Sequence, residues 1–319
     1  MRIAVVKGDG IGEEVIPGAV RVLERYAPDA EYFEVEVGYG KWKKCGVGCS
    51  DEDIESLRGA DSILFGAITT PPDPGYKSIM LKIRHELGLY ANLRPVYGDG
   101  FNIMVVRENS EGLYSGIEEI GDTRSTTLRV VTKTASERIA RCACEILLKD
   151  FKGGTLTIGN KANAIKSDVL FRDTCIEVAN DMGVPYRTSY IDALTFDAIQ
   201  NPHRYDVIVT TNVFGDILSD ALGHLVGGLG MLPSANIGDD CALFEPVHGS
   251  APDIAGKGIA NPIAAIRSAG MLLEYNGISC YDEIEDAIIE VISSGTKTPD
   301  LGGTADTVSF CDVLMDRLD

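Results

Sequence analysis

Apolar runs and helical stripes alternate along the chain. Residues 3–6 (IAVV) form a short apolar run that stops at Gly8-Asp9-Gly10-Ile11-Gly12. A short apolar run bounded by turn residues predicts a buried strand. Residues 13–26 follow, with Val15, Ala19, Val22 and Leu23 at helical spacing, and predict a helix. The same reasoning predicts strands at 32–37, 62–66, 91–95, 103–107 (IMVVR), 128–132, 155–158 and 207–211 (VIVTT). It predicts helices at 51–57, 80–87, 135–148, 169–182, 216–225, 259–275 and 281–293. Pro71-Pro72-Asp73-Pro74-Gly75 predicts a loop, and Gly227-Gly228-Leu229-Gly230 a flexible join. Buried strands alternating with helices predict an α/β protein with parallel sheet. There is no repeat, and no shift in composition marks a domain boundary.

The chain has 319 residues, 45% hydrophobic and 24% charged, enough to bury a substantial core and too apolar for disorder. No apolar run is long enough for a spanning helix, and the first residues lack the apolar stretch of a signal peptide, so a cytoplasmic protein with no membrane partner is expected. Acidic residues outnumber basic ones by 48 to 29, a formal charge of −19. Such a surface repels nucleic acid, and a small anionic substrate needs a local basic island. Eight Cys and four His are scattered without metal-site spacing and suit thiols in a reducing compartment.

Four constellations carry candidate chemistry. The glycines of Gly8-Asp9-Gly10-Ile11-Gly12-Glu13 either admit a ligand close to the backbone or make a plain strand-to-helix turn; the spacing is not that of the dinucleotide fingerprint GxGxxG. Arg84, Arg94 and Arg107 are either unrelated or the missing basic island. A guanidinium at the mouth of an apolar strand is hard to solvate unless it faces a cleft, and its planar fork matches a carboxylate. Asp216 and Asp220 stand four apart on a predicted helix, so their carboxylates share a face. They suit a hard cation such as Mg²⁺ or Mn²⁺, unless Asp216 only caps the helix and Asp220 is solvated. Residues 245–253 (EPVHGSAPD) form a polar Gly/Pro stretch that either wraps a cofactor or is a surface loop.

Taken together, these segments resemble one family, the NAD(P)-dependent β-decarboxylating dehydrogenases of 3-substituted malates. The resemblance rests on GDGIGEEV at 8–15, LYANLRP at 89–95, RENSEGLYSG at 107–116 and KAN at 161–163. It continues through TTNVFGDILSD at 210–220, LFEPVHGSAPDIAGKGIANP at 243–262 and TPDLGG at 298–303. The resemblance implies the family's own two-domain α/β fold with parallel or mixed sheets, not a Rossmann fold. One domain would combine residues 1–90 with 227–319, and the substrate and dimerisation domain would be 91–226. It also implies that Arg84, Arg94 and Arg107 grip two substrate carboxylates and that Tyr114 and Lys161 are the acid–base pair. Asp216 and Asp220 would hold Mg²⁺ or Mn²⁺, with Asp192 and Lys161 supplied by a second subunit, making the active form a homodimer or larger. His248, Gly249, Ser250, Ala251, Asp253 and Asn261 would surround the adenosine, Asn163 would lie near the nicotinamide, and Ile11, Thr69 and Glu245 would line the dinucleotide. Asp253-Ile254 stands where NADP-using relatives carry Lys-Tyr. A carboxylate there accepts hydrogen bonds from ribose hydroxyls and repels a 2′-phosphate, so NAD is expected.

The chain departs from the family in three places. Asn160 stands where relatives have His or Asp, the stretch after Lys161 is one residue short, and the segment between Tyr114 and Ala135 is trimmed. The substrate side chain is expected to be read by residues 69–84, TTPPDPGYKSIMLKIR. Lys77 and Ser78 resemble the branch that meets a third carboxylate, whereas Met80 and Leu81 occupy the greasy pocket of the isopropylmalate branch. A homoisocitrate-type tricarboxylate is the first expectation, then 3-isopropylmalate, then isocitrate or tartrate. A non-catalytic regulatory subunit is the alternative of another class, which the full set Tyr114, Lys161, Asp192, Asp216 and Asp220 disfavours. A metal-dependent dehydrogenase of phosphorylated substrates would want His ligands, and none of the His residues is placed for that.

Overall fold

The computed structural model describes residues 1–72 and 76–318. Asp73, Pro74 and Gly75, on which part of the expected 71–75 loop falls, lie outside the described residues. The chain forms two compact units, one from Met1–Leu87 with Gly227–Asp319, the other from Gly88–Val226.

The first segment of the first unit runs β1 (Arg2–Gly8), α1 (Gly12–Tyr26), β2 (Glu31–Glu34), α2 (Tyr39–Cys45), α3 (Asp51–Arg58), β3 (Ser62–Ala67) and α4 (Ile79–Glu86). In the second unit follow β4 (Ala91–Gly98), β5 (Phe101–Glu108), the two-residue strands β6 (Glu118–Glu119) and β7 (Thr126–Thr127), α5 (Lys133–Asp150), β8 (Leu156–Asn160), α6 (Ser167–Asp181), β9 (Tyr186–Tyr190), α7 (Ile191–Gln200), β10 (Val207–Thr210) and α8 (Asn212–Leu222). The chain returns to the first unit with β11 (Pro233–Ile237), β12 (Ala242–Pro246), α9 (Ile263–Tyr275), α10 (Tyr281–Ser293) and α11 (Thr307–Leu318).

The first unit orders its strands β2-β1-β3-β12-β11, all parallel except β11 against β12. The second orders them β4-β5-β10-β8-β9, all parallel except β4 against β5. The sheets are therefore mixed, mostly parallel with one antiparallel pair in each unit. The β4–β5 hairpin closes around Asp99-Gly100, with Gly98 paired to Phe101 and Gly100 at φ 76°. Such a two-residue turn favours Asp-Gly. Ile3, Ile16, Leu23, Ile63, Phe65 and Phe310 have no exposed surface in the first unit, nor have Ile103, Val105, Ile139, Ile158, Leu194 and Val209 in the second. Each such side chain contributes roughly 1.5–3 kcal/mol by burial.

Several sequence expectations change. The strand at 128–132 is absent. Val130 makes one bridge to Gly112, Leu128 is exposed, and Thr132 caps α5 by accepting from the Ala135 N–H at 3.2 Å. The helix expected from 216 begins at Asn212, so Asp216 sits inside it and does not cap it. Glu245 and Pro246, read as loop, end β12. Strand β9 and helix α7 escaped the reading because YRTSY alternates half-buried and exposed positions at the sheet edge and has no apolar run. Among the described residues no helix is long and apolar enough to cross a membrane.

Candidate active site

Within each unit the expected site residues follow the carboxyl ends of parallel strands, where open α/β sheets bind ligands. In the first unit these are the glycine turn after β1, Thr69 after β3 and His248 after β12. In the second they are Arg107 at the end of β5, Lys161 after β8, Asp192 after β9 and helix α8 after β10.

In the second unit Arg94, Arg107, Tyr114, Asp216 and Asp220 form one cluster. Arg107 is 1% exposed. Its Nη1 donates to Asp216 Oδ1 at 2.5 Å, and its Nε and Nη2 donate to Asn212 Oδ1 at 3.1 and 2.8 Å. Arg94 Nη1 donates to Asp220 Oδ1 at 2.8 Å and to Ser219 Oγ at 2.7 Å, and its Nη2 lies 3.2 Å from Asp216 Oδ1. The Tyr114 hydroxyl donates to Asp216 Oδ2 at 3.0 Å, and its ring faces the Arg107 guanidinium at 5.8 Å. Gly215 lets the buried arginine pass over α8, because a Cβ there would lie 2.7 Å from the Arg107 Cβ and Cγ. Burial raises the Asp220 carboxyl above its ordinary value, Arg94 draws it back, and the neighbouring Asp216 adds to the rise. Arg94 and Arg107 therefore share one cluster, with their charge met by two carboxylates, whereas Arg84 lies in the first unit. Asn212 and Ser219 were missed; only their place on the helix of Asp216 signals them.

Lys161 and Asp192 form a second pair, Nζ to Oδ1 at 2.5 Å. The lysine ammonium holds the Asp192 carboxyl below its ordinary value. Among the described residues no three His, Cys, Asp or Glu side chains gather as a metal site, so Asp192 does not complete the Asp216–Asp220 pair within one chain. The two aspartates are hard oxygen groups that fit Mg²⁺ or Mn²⁺, ions that keep several waters or take further ligands. Asn163 is exposed in the turn after Lys161.

In the first unit the Ile11 N–H donates to the Ser250 carbonyl at 2.9 Å, and Thr69 Oγ1 to Ser250 Oγ at 2.6 Å. Asp9, also missed, accepts from the backbone N–H groups of Tyr39, Gly40 and Thr69 and so joins three loops. Ala251 holds φ at 40°, and Asp253 is exposed. Asn261 Nδ2 donates to Asp300 at 2.9 Å. His248 Nε2 is buried without a hydrogen-bond partner, and burial holds the imidazole below its ordinary pKa. That orphaned nitrogen beside Gly249, Ser250 and Ala251 fits a polar ligand such as an adenosine. A cavity of about 670 Å³ opens at the carboxyl ends of β1 and β2, but of the expected cofactor residues it touches only Thr69.

Helix α4 buries Ile79 and Ile83 and leaves Met80, Leu81 and Arg84 half-buried. Arg84 Nη2 donates to Glu245 Oε1 at 3.3 Å, and Glu245 also accepts from Asn236 at 2.7 Å. Lys77 is exposed, and Ser78 caps α4 by accepting from the Leu81 N–H at 3.4 Å.

The model of the isocitrate/isopropylmalate dehydrogenase family matches residues 2–317. The isocitrate/homoisocitrate dehydrogenase of Pyrococcus horikoshii is 44% identical over 320 residues, covering 99% of this chain and 92% of that protein. The 3-isopropylmalate dehydrogenase of Archaeoglobus fulgidus is 44% identical over 331 residues, covering 100% and 99%. The apo crystal structure of a β-decarboxylating dehydrogenase from Thermococcus kodakarensis superposes with a TM-score of 0.89 at 46% identity, over 99% of this chain and 96% of that one. With the fold, the strand-end residues and these likenesses in agreement, the chain belongs to the isocitrate/isopropylmalate dehydrogenase family of decarboxylating dehydrogenases.

Proposed function

We propose that this chain catalyses the NAD-dependent oxidative decarboxylation of a 3-substituted malate, homoisocitrate first, with 3-isopropylmalate as the second reading. The observation that carries the proposal is the balanced cluster of Arg94, Arg107, Asp216 and Asp220. Two guanidinium charges oppose two carboxylates, so the cluster is close to neutral. A divalent cation held by Asp216 and Asp220 would add two positive charges, and two substrate carboxylates on the arginine forks would restore neutrality. Guanidinium–carboxylate pairing is bidentate and charge-assisted, so it also fixes the malate backbone.

Lys161 takes the proton of the C2 hydroxyl. NAD, held by the residues assigned to it below, would supply the acceptor for the C2 hydride, and the oxidised substrate is a β-keto acid. The bond from C3 to its carboxylate breaks, carbon dioxide leaves, and the electron pair stays on the substrate as an enolate. The cation, when bound, acidifies the hydroxyl and stabilises charge on oxygen. The Tyr114 hydroxyl, already oriented by Asp216, donates its proton to C3. Following the family resemblance, we assign Lys161 and Asp192, which lie in a pair of their own, to the site of a partner subunit; the active form is then a homodimer or larger, working in the cytoplasm. His248, Gly249, Ser250, Ala251, Asp253 and Asn261 are assigned to the adenosine, Asn163 to the nicotinamide, and Ile11, Thr69 and Glu245 to the rest of the dinucleotide. Asp253 is assigned to the ribose hydroxyls. Replacing Asp253 by Lys together with Ile254 by Tyr is expected to shift the NADP/NAD ratio of kcat/KM by roughly 10–100-fold toward NADP, the worth of one or two charged hydrogen bonds. Steady-state kinetics with both cofactors checks it.

Lys77, Ser78, Met80, Leu81 and Arg84 are assigned to the substrate, the first four to its C3 substituent. The test is NADH formation with Mn²⁺ on homoisocitrate, 3-isopropylmalate and isocitrate in parallel. Homoisocitrate is expected to lead, and Lys77→Ala is expected to raise its KM about tenfold while leaving 3-isopropylmalate within twofold, because one solvent-facing charged contact is lost. Preference for 3-isopropylmalate would assign the reading to Met80 and Leu81. Inactivity on all three would overturn the proposal.

A further inference from the structure

We propose that the buried Asp168–Arg129 pair is a positioning device for Lys161, an inference that rests on the assignment of Lys161 as the base. Asp168 has no exposed surface. Its Oδ2 accepts from the Lys161 backbone N–H at 2.6 Å, and its Oδ1 accepts from Arg129 Nη2. The same guanidinium donates to Ser167 Oγ at 2.8 Å and Thr211 Oγ1 at 3.1 Å and lies over the Phe214 ring at 5.5 Å. On the other side, Asn160 Oδ1 accepts from the next backbone N–H, that of Ala162, at 3.1 Å. Asn160 Nδ2 donates to the carbonyls of Ile158 and Ser189 at 3.2 and 3.3 Å. Two successive amides beyond β8 are thus held by side chains, where the chain has left the sheet and α6 has not begun.

A buried ion pair is weak evidence for stability, since removing two charges from water offsets much of their attraction. Its placement argues for geometry. Asp168 acts on the one residue of the turn whose ammonium meets Asp192, and Arg129 spans from that turn to Thr211, which precedes the helix of Asp216 and Asp220. Arg129 comes from the trimmed segment between Tyr114 and Ala135, and Asp168 from the shortened stretch after Lys161. Two of the three departures from the family pattern therefore meet at one contact. Asp168 and Arg129 are positioning residues. They touch the backbone and neighbours of Lys161, not the reacting atoms.

The experiment uses the full chain carrying Asp168→Asn, which keeps the shape and one acceptor, and separately Arg129→Lys, which keeps the charge but not the fork. Each is measured by steady-state NADH formation on the best substrate and by backbone amide exchange of residues 159–166. Both variants are expected to lower kcat at least about tenfold, since misplacing a reacting group by about 1 Å costs on the order of 10²-fold. The KM for NAD should rise by a smaller factor than kcat falls, because the residues assigned to the adenosine belong to the other unit and only Asn163 lies in this turn. The Lys161 amide should exchange faster while the amides of β8 keep their protection. Unchanged kcat in both variants overturns the inference, as does a loss that only tracks the folded fraction, or an unaltered Lys161 amide. Wild-type inactivity on all three substrates defeats the functional reading instead, and the exchange arm then decides whether the anchor exists.

Discussion

Replacing Lys161 by Met is expected to lower kcat by about 10²–10⁴-fold, the usual worth of a positioned proton acceptor. Methionine keeps the apolar stem and removes the ammonium, so KM for the substrate should change little. Asp192 then loses the cation that holds its carboxyl low. The subunit assignment makes a second outcome measurable. Chains carrying Lys161→Met and chains carrying Tyr114→Phe, each nearly inactive, are unfolded together and refolded as a mixture. If each site takes Tyr114 from one chain and Lys161 from its partner, random pairing restores about a quarter of the wild-type activity, one intact site in every mixed dimer. No recovery would place both groups in one chain's own site.

Arg107→Met is expected to lower kcat/KM by roughly 10²–10⁴-fold, mostly through KM, because hydrogen bonds to charged groups are worth about 1.5–3 kcal/mol each and a bidentate grip makes two. The fold should tolerate the change better than burial of Arg107 alone suggests. Asp216, the carboxylate it leaves behind, keeps the Tyr114 hydroxyl at 3.0 Å and Arg94 at 3.2 Å. Asp216→Asn is the harsher change, since it leaves the guanidinium of Arg107 buried at 1% exposure without its carboxylate partner, and breaking a buried pair from one side costs about 3–5 kcal/mol. Urea unfolding of the two variants beside their KM values separates the loss of grip from the loss of stability.

What was legible in the sequence follows from where each residue gets its energy. Strands 3–6, 103–107 and 207–211 were plain because they are buried on both faces and so read as unbroken apolar runs. β9 was hidden because an edge strand with one neighbour needs no such run. β11, with Ser234 and Asn236 fully buried, was hidden because its polar groups are satisfied inside, as by the bond from Asn236 to Glu245. That Asp216 and Asp220 share a helix face was legible from their four-residue spacing. That they face Arg94 and Arg107 was not, since residues more than a hundred positions apart meet only through sheet order. Asp168 gave no signal either; one partner is a backbone amide across the turn before α6 and the other lies 39 residues away, and no residue pattern marks either contact.

The order of the segments has a consequence for the newborn chain. The second unit is one uninterrupted run and can bury its core as soon as residue 226 has left the ribosome, whereas the first unit waits for its second segment. Strand β3, buried at every position, pairs with β1 on one side and with β12 on the other. About 175 residues must be synthesised between them, which at about 5–20 residues per second takes roughly 10–35 s. For that interval SILFGA is a bare apolar edge, the kind of strand that recruits other chains.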